Sequence, residues 1–276
     1  MLSPQDVSAR RRAFRRLHQS GCFVIPNPWD AGSARYLQGL GFKALATTSS
    51  GAAWRQAKAD GQMSLDEALV HLREMVSATA LPVNADFEHG FAADPAGVAR
   101  NVRLAIDTGV AGLSIEDSTG DASEPLRDIA SAVERMRAAR TAIDATGGET
   151  LLVGRAENFI VDRPDLQDTI RRLQAYAEAG ADCLYAPGIT TREQIAAVVA
   201  AVAPKPVNLL IGSTTEFTLR DIEALGVRRV SVGGAMARAA WGGFMRAAQL
   251  IATEGRFDGF GGAAAGTQLN AMFRRG

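Results

Sequence analysis

The feature that most constrains this chain is a regular alternation of apolar, strand-like segments with segments of helical periodicity. Eight segments have the apolar character of buried strands: residues 22–26, 43–48, 82–86, 112–116, 151–155, 183–186, 206–210 and 229–232. Helical periodicity near 3.6 residues separates most of them. Eight such repeats in a chain of 276 residues favour a closed (β/α)8 TIM-type barrel over an open α/β sheet.

The helical segments share a stop signal. Glycine ends four of them, at Gly41, Gly109, Gly180 and Gly226, and the next strand follows within about two residues. Such short connections suit a helix that returns to start the next parallel strand. The periodicity predicts helices over residues 65–77, 96–107, 129–145, 166–178, 192–202, 219–224 and 235–252.

Two ends fall outside the eight repeats, so we expect one barrel domain over residues 1–276 with an addition at each end. Residues 1–20 have an amphipathic pattern that predicts an extra N-terminal helix. Residues 235–276 hold the eighth helix and a tail, and apolar residues such as Trp241 and Phe260 exceed what one barrel-facing stripe requires. We therefore expect a homo-oligomer, a dimer or a tetramer, with a frayed terminus as the alternative for the tail.

Charge and cysteine content exclude several classes of function. The 30 basic and 30 acidic residues cancel, which argues against nucleic acid or an anionic membrane as the partner. The longest apolar run, residues 195–203, is about half of what a membrane span needs, and residues 1–19 lack the apolar core of a signal peptide. Cys22 and Cys183 fit neither a disulfide framework nor a zinc site. We expect a soluble, cytoplasmic protein.

Acidic side chains collect where two neighbouring strands end, which is where α/β barrels place their chemistry. Asp86 and Glu88 follow the third strand, and Glu116 ends the fourth. Alternation along the strand puts Asn84 on the same side as Asp86 and Glu88. Acids from adjacent strands repel each other unless a divalent cation lies between them, and an oxygen-only set favours Mg²⁺, with Mn²⁺ as the alternative. A loop whose acids face water would give the same pattern.

Candidate substrate-binding groups end three further strands. Ser50, Gly51 and Ala52 follow the second strand, and such small residues let backbone N–H groups approach a bound oxyanion, although an ordinary turn has the same composition. Arg155 ends the fifth strand and is the expected two-pronged clamp for a carboxylate or phosphonate, or else a partner for the neighbouring acids. Asn208 lies on the seventh strand.

The remaining sequence features give a weak indication of one site and argue against two kinds of catalysis. The eighth strand leads into Gly233-Gly234, a weak indication of a phosphate-binding loop. Lysine occurs only at positions 43, 58 and 205, none at the carboxyl end of a strand, which argues against a Schiff-base aldolase. The three histidines, at positions 18, 71 and 89, offer neither a catalytic triad nor a zinc pair.

Six motifs together resemble the isocitrate lyase/phosphoenolpyruvate mutase superfamily, in order and over nearly the whole chain. They are Asn-Pro-Trp-Asp (27–30), Thr-Thr-Ser-Ser-Gly (47–51), Asn-Ala-Asp-Phe-Glu-His-Gly (84–90), Ser-Ile-Glu-Asp (114–117), Gly-Arg-Ala-Glu (154–157) and Arg-Val-Ser-Val-Gly (229–233). The resemblance implies a (β/α)8 barrel whose eighth helix is exchanged between subunits. It also implies Mg²⁺ and a small 2-oxo or 2-hydroxy carboxylate that reacts through an enolate-like intermediate.

The resemblance also assigns roles to residues. Asp86 would be the direct metal ligand, Glu116 would hold metal-bound water, and Asp60 would be an outer acid near the metal. The resemblance also implies that the loop after the second strand and Arg155 bind the substrate. We add Asn208, the amide on the seventh strand. The resulting set is Ser50, Gly51, Ala52, Arg155 and Asn208, of which Ser50, Gly51 and Arg155 are the candidate catalytic residues.

Three departures from the superfamily pattern narrow the expected reaction. Asn84 replaces an aspartate, residues 118–125 lack the Cys-, Lys- and His-containing loop of the lyase branch, and residues 186–188 lack its glutamate. Cleavage of isocitrate or methylisocitrate is therefore disfavoured. Our first hypothesis is a Mg²⁺-dependent carbon–carbon lyase or decarboxylase. The alternatives are P–C bond chemistry on a phosphonopyruvate-type substrate, and a non-catalytic carboxylate-binding protein.

Overall fold

The computed structural model describes residues 3–274, and its centre is a sheet of eight parallel strands. The strands run in the order β1-β8-β7-β6-β5-β4-β3-β2. At the seam, the Ala46 N–H donates to Pro26 O at 3.1 Å, and Asn27 Nδ2 donates to Thr47 O at 2.9 Å. The sheet is thus a nearly closed barrel that alternates with helices, as predicted. The strands are β1 (Phe23–Ile25), β2 (Leu45–Ala46), β3 (Val83–Asp86), β4 (Gly112–Glu116), β5 (Leu151–Arg155), β6 (Cys183–Tyr185), β7 (Val207–Leu210) and β8 (Arg229–Ser231).

The helices surround this sheet, and each of the seven predicted ones lies within two residues of its observed bounds. Most begin at a Ser, Thr or Asp whose side chain accepts a hydrogen bond from the third helical N–H, so their start points are fixed locally. The sequence analysis did not identify α2 or α3. The helices are α1 (Pro4–Leu17), α2 (Ala31–Gly39), α3 (Ser49–Arg55), α4 (Leu65–Ala78), α5 (Pro95–Asp107), α6 (Ile129–Asp144), α7 (Leu166–Glu178), α8 (Arg192–Val202), α9 (Leu219–Ala224), α10 (Ala235–Glu254) and α11 (Gly266–Phe273), with a 3₁₀ turn at Asp258–Phe260.

Helix α1 closes the amino-terminal end of the barrel. Phe14 is fully buried among the first residues of the strands, and a Cβ at Gly112 would lie 2.8 Å from its ring, so glycine is needed for this close approach. Arg11 and Arg15 bind backbone carbonyl groups, Arg11 at the turn between α5 and β4 and Arg15 at the turn before β5. With one end closed in this way, the carboxyl ends of the strands are the open end of the barrel.

Helix α10 packs differently from α4 to α8, each of which has three or more buried residues, whereas α10 has only Ala237. Trp241, Phe244 and Met245 are 40%, 62% and 62% exposed, and Phe257 in the tail is 66% exposed. Residues 1–2 and 275–276, which the predicted N-terminal helix and tail include, lie outside the described part. No helix within residues 3–274 is both long and apolar enough to cross a membrane.

Candidate active site

Three strand ends bring their charged side chains together at the open end of the barrel. Asp86 ends β3, Glu116 ends β4 and Arg155 ends β5, where Glu116 and Arg155 are register partners. Arg155 Nη1 lies 3.1 Å from Asp86 Oδ1 and 3.1 Å from Glu116 Oε2. Its Nε donates to Glu157 Oε1 at 2.5 Å. One guanidinium therefore holds three carboxylates, two from neighbouring strands and one from the following loop.

The electrostatics of this cluster are unbalanced. Burial alone would lower the pKa of Arg155, but the charges of Glu116 and Glu157 hold it well above its usual value. Burial raises the pKa of Glu116, and it raises the pKa of Glu157 and Glu88 to about 8. Burial and the charge of Asp86 also raise the pKa of Asp60. Five carboxyl groups compete for one arginine: Asp60, Asp86, Glu88, Glu116 and Glu157.

Ser49, which the sequence analysis did not assign, connects two of these acids. Its N–H donates to Asp86 Oδ2 at 2.9 Å, and its hydroxyl donates to Asp60 Oδ1 at 3.2 Å. Thr47 Oγ1 accepts the Asp86 N–H at 2.8 Å. The loop after β2 is thus bound to the end of β3. Asp60, predicted as an outer acid, lines a cavity at the open end of the barrel, together with Glu116 and Arg155.

The predicted oxyanion groups Ser50, Gly51 and Ala52 lie in the first turn of α3, a short helix of small residues that resembles a turn in sequence. The N–H groups of Gly51 and Ala52 bind Thr48 Oγ1 and Thr48 O. A Cβ at Gly51 would come within 2.9 Å of the Trp29 Cβ, so close packing explains this glycine. Of this turn, Ser49 lines the cavity, whereas Gly51 and Ala52 are buried.

Asn208 and Asn84 lie deeper in the barrel than the acids. Asn208 is fully buried; its Nδ2 donates to Ser231 Oγ at 2.9 Å and its Oδ1 accepts from Arg229 Nε at 2.7 Å. Asn84 Oδ1 accepts from Arg229 Nη1 at 3.4 Å. Neither amide lines the cavity. Position 84, where the superfamily usually has an aspartate, therefore faces Arg229 rather than the acid cluster.

The glycines after β8 do not form a free anion site. The N–H groups of Val232 and Gly233 both donate to Asn27 Oδ1 at 2.9 Å. Asn27 also bonds β2, so this side chain closes the barrel at its seam. The backbone donors that suggested a phosphate-binding loop serve the fold instead.

The segment after β3 is strained and held by a buried arginine. Glu88, Gly90 and Phe91 have positive φ angles of 45°, 82° and 51°, which is unusual for the two non-glycine residues. Arg135, 1% exposed on α6, donates to His89 O at 2.6 Å, and also to the carbonyl oxygens of residues 92 and 93. This strained segment places Glu88 and His89 on the cavity wall. No local sequence signal connects Arg135 to the site, because 46 residues separate it from His89.

The cavity above the cluster has a volume of about 610 Å³. The loop after β4 forms one wall. An antiparallel β-bridge between Ser118 and Leu126 and a hydrogen bond from Thr119 Oγ1 to Glu124 O hold the two sides of this loop together. Cys183 is buried in β6, where burial raises the pKa of its thiol, and it does not line the cavity. A cysteine acid is thus absent from the cavity wall.

The residues present fit a divalent cation. The donors are carboxyl oxygens, as hard cations prefer, and the cluster has more carboxyl groups than Arg155 can pair. Within residues 3–274, no three His, Cys, Asp or Glu side chains are close enough to coordinate an ion directly. Mg²⁺ typically keeps several waters and uses few carboxylates, so a site with fewer than three direct protein ligands is compatible with it.

The fold and the site together describe a (β/α)8 barrel with an acid-rich cavity at the carboxyl ends of its strands. Residues 14–252 match the phosphoenolpyruvate phosphomutase family, and the chain belongs to this family, within the phosphoenolpyruvate mutase/isocitrate lyase superfamily.

Named relatives indicate the reaction type. An oxaloacetate decarboxylase from Rhodopseudomonas palustris (strain BisB18) is 32% identical over 273 residues, which cover 94% of this chain and 86% of that one. The 2-methylisocitrate lyase of Escherichia coli (strain K12) is 32% identical over 242 residues, covering 83% and 81%. A crystal structure from Burkholderia cenocepacia J2315, named only as a lyase or mutase, has a TM-score of 0.94 at 47% identity and covers 98% of both chains. The chain is accordingly an enzyme of the carbon–carbon lyase type.

Proposed function

We propose that this protein is a Mg²⁺-dependent lyase that cleaves a C–C bond in a small 2-oxo or 2-hydroxy carboxylate through an enolate. Decarboxylation of an oxaloacetate-like acid is the reaction we favour. The observation that carries this proposal is the acid cluster around Arg155 beneath a cavity of about 610 Å³. The decarboxylase among the relatives supports the same choice.

Each part of the cluster has a role in this scheme. When bound, Mg²⁺ acts as a Lewis acid that polarises the substrate carbonyl and offsets the enolate charge. Asp86, Glu116 and Asp60 would hold the ion, and Arg155 fixes the positions of Asp86 and Glu116 because its Nη1 contacts both. Ser49 keeps Asp86 and Asp60 facing the same space.

Decarboxylation needs no base to remove a substrate proton. The bond to the leaving carboxylate breaks, its electron pair moves onto the carbonyl oxygen to form the enolate, and CO₂ leaves. The enolate then takes up one proton at carbon. Glu88 is suited to this step because it lines the cavity, is held there by the strained segment after β3, and has no ion-pair partner within residues 3–274.

The direct test is turnover of oxaloacetate with Mg²⁺, compared with the same mixture after EDTA treatment. We expect turnover above the metal-only background with Mg²⁺ and its loss with EDTA. A thermal melt provides a second measurement, because an ion that binds only the folded state raises the melting temperature. Absence of any Mg²⁺-dependent stabilisation would show that the metal assignment is wrong.

Two other functions remain alternatives. The first is P–C chemistry on a phosphonopyruvate-type acid. The second is a non-catalytic carboxylate-binding protein, which would bind oxaloacetate but would not turn it over either with Mg²⁺ or after EDTA treatment. A screen of 2-oxo and 2-hydroxy acids with Mg²⁺ separates the remaining substrates.

We also propose that the protein is a homodimer or homotetramer in the cytoplasm, with α10 exchanged between subunits. The exposed aromatic residues of α10 and the tail support an interface there, since a monomer rarely exposes so many large apolar side chains together. Sedimentation at micromolar concentration tests this, and a monomer would contradict it.

A further inference from the structure

The cavity contains two arginines with very different surroundings. Arg155 lies at its base, with Nη1 between Asp86 and Glu116 and Nε on Glu157. Its charge is thus already shared among three carboxylates. A substrate carboxylate that approached Arg155 would have to compete with these acids, which are fixed in position and mostly buried. A carboxylate at the end of the substrate away from the metal would be bound better by a cation that no acid already pairs.

Arg163 is the second arginine that lines the cavity. The only hydrogen bond from its guanidinium within residues 3–274 is a long one, 3.4 Å from Nη1 to Asp162 O, and no carboxylate lies within ion-pair distance. His89 also lines the cavity, but burial lowers its pKa, so it does not supply a positive charge near neutral pH. Among the cavity-lining residues, Arg163 is the free cation.

The backbone that carries Arg163 is fixed. Its N–H donates to Asn158 O at 2.8 Å, and the N–H groups of Ile160 and Val161 both donate to Glu157 O. Asp162 adopts a left-handed φ of 56°, and a proline follows Arg163. This seven-residue loop, 157–163, is closed by its own backbone hydrogen bonds and places both Glu157 and Arg163 on the cavity wall.

We propose that Arg163 binds the second carboxylate of a dicarboxylic substrate and gives the enzyme its preference for dicarboxylates over monocarboxylates. This inference rests on the proposed function in one respect: the reacting end of the substrate lies near Asp86 and Glu116. A guanidinium suits the role because its planar fork matches a carboxylate with two hydrogen bonds. The apolar residues Ile160 and Val161 on the same wall contact the carbon chain between the two ends.

The charge of Arg163 has a further consequence for decarboxylation. A guanidinium stabilises a carboxylate more than the nearly neutral CO₂ that forms from it, so Arg163 strengthens binding without lowering the chemical barrier. Arg163→Gln should raise the KM for oxaloacetate about tenfold or more and leave kcat unchanged or higher. A residue that merely maintained the fold would lower kcat as well.

Binding of malate and lactate tests the inference without turnover, because the two 2-hydroxy acids differ mainly by one carboxylate. Calorimetry in the presence of Mg²⁺ should show that the wild type binds malate more tightly than lactate. Arg163→Gln should weaken malate binding on the order of tenfold and leave lactate within about twofold. Arg163→Lys should retain part of the preference, since it keeps the charge and loses the fork. Arg137→Gln, an exposed arginine on α6, is the matched control and should change neither affinity.

The outcomes separate this inference from the proposed function. If Arg163→Gln binds malate as the wild type does, or if the wild type does not prefer malate, the inference is wrong. If the wild type prefers malate through Arg163 but turns over no 2-oxo acid, the inference stands and the lyase proposal fails.

Discussion

Each end of the barrel interior contains an arginine that is mostly shielded from solvent, and the two arginines are stabilised in opposite ways. At the open end, Arg155 contacts three carboxylates, which hold its pKa well above the usual value against the effect of burial. At the closed end, Arg229 is 3% exposed and has no acid within ion-pair distance in the described residues. Its partners are the amides of Asn208 and Asn84 and the ring of His18, and burial lowers its pKa.

This difference separates charge that serves the fold from charge that serves chemistry. Neutral amides satisfy the guanidinium of Arg229 and leave no group free to act on a ligand. The carboxyl groups around Arg155 outnumber it, and they can all be ionised together only if another cation joins them. An imbalance of this kind, next to a cavity, is typical of a functional site.

Replacing each arginine by methionine should give the largest contrast. Arg155→Met removes the only cation among the clustered acids, so we expect kcat/KM for the active 2-oxo acid to fall by about 10³-fold or more, roughly 4 kcal/mol. Arg229→Met should instead reduce the free energy of unfolding and leave kcat/KM within about tenfold. Steady-state kinetics and urea melts measure both. Equal losses of activity in two folded variants would show that the two ends do not differ in this way.

The closed end should also make stability depend on pH. Burial and the charge of Arg229 lower the pKa of His18 to about 3, so its folded form stays neutral while the unfolded chain takes up a proton below pH 6.5. Stability from this group is therefore complete above pH 6.5 and is lost as pH falls toward 3, by about 2 kcal/mol at pH 5. Urea melts at pH 7 and 5 should show a smaller loss for His18→Gln. The pKa of His71 is also lowered, to about 4, and this residue adds the same pH dependence to the stability of the wild type and of His18→Gln.

Asn84→Asp probes the boundary between the two ends. The new carboxylate would lie beside Arg229, which has no acid partner, and we expect the free energy of unfolding to change by no more than about 1 kcal/mol, because desolvation of the acid offsets the attraction. Mg²⁺ affinity should stay within about twofold of the wild type. A tenfold gain in Mg²⁺ affinity would place position 84 in the metal site instead.

The smallest effects are expected in the loop after β4. Hydrogen bonds from Ser123 lower the pKa of Asp121, which makes it a poor proton donor. If this loop only excludes water, Asp121→Asn and Glu124→Gln should each leave kcat within a few-fold of the wild type. Loss of a general acid would lower kcat about a hundredfold or more, with the metal still bound, and that result would contradict the assignment.

Much of the fold could be predicted because its signals are local. The eight strands, seven helices and helix-ending glycines follow from periodicity and capping within short windows of sequence. Helix α3 was missed for the same reason, since Ser49 and Gly51 within seven residues resemble a turn. Asp86, Glu116 and Arg155 could be selected as site residues because each ends a strand, and in a parallel barrel the strand ends meet.

Alternation along the sequence is enough to assign a side chain to one face of its strand, but its depth in the barrel and its partner follow from the three-dimensional packing. Asn84 and Asp86 point to the same side of β3, yet Asn84 contacts Arg229 and Asp86 contacts Arg155. Two contacts depend on residues far apart in the chain: Arg135 binds the strained segment after β3, and Arg155 pairs with Asp86. Alternation along a strand is a local property, but depth and pairing are set by the stagger of neighbouring strands and by the loops that pack above them.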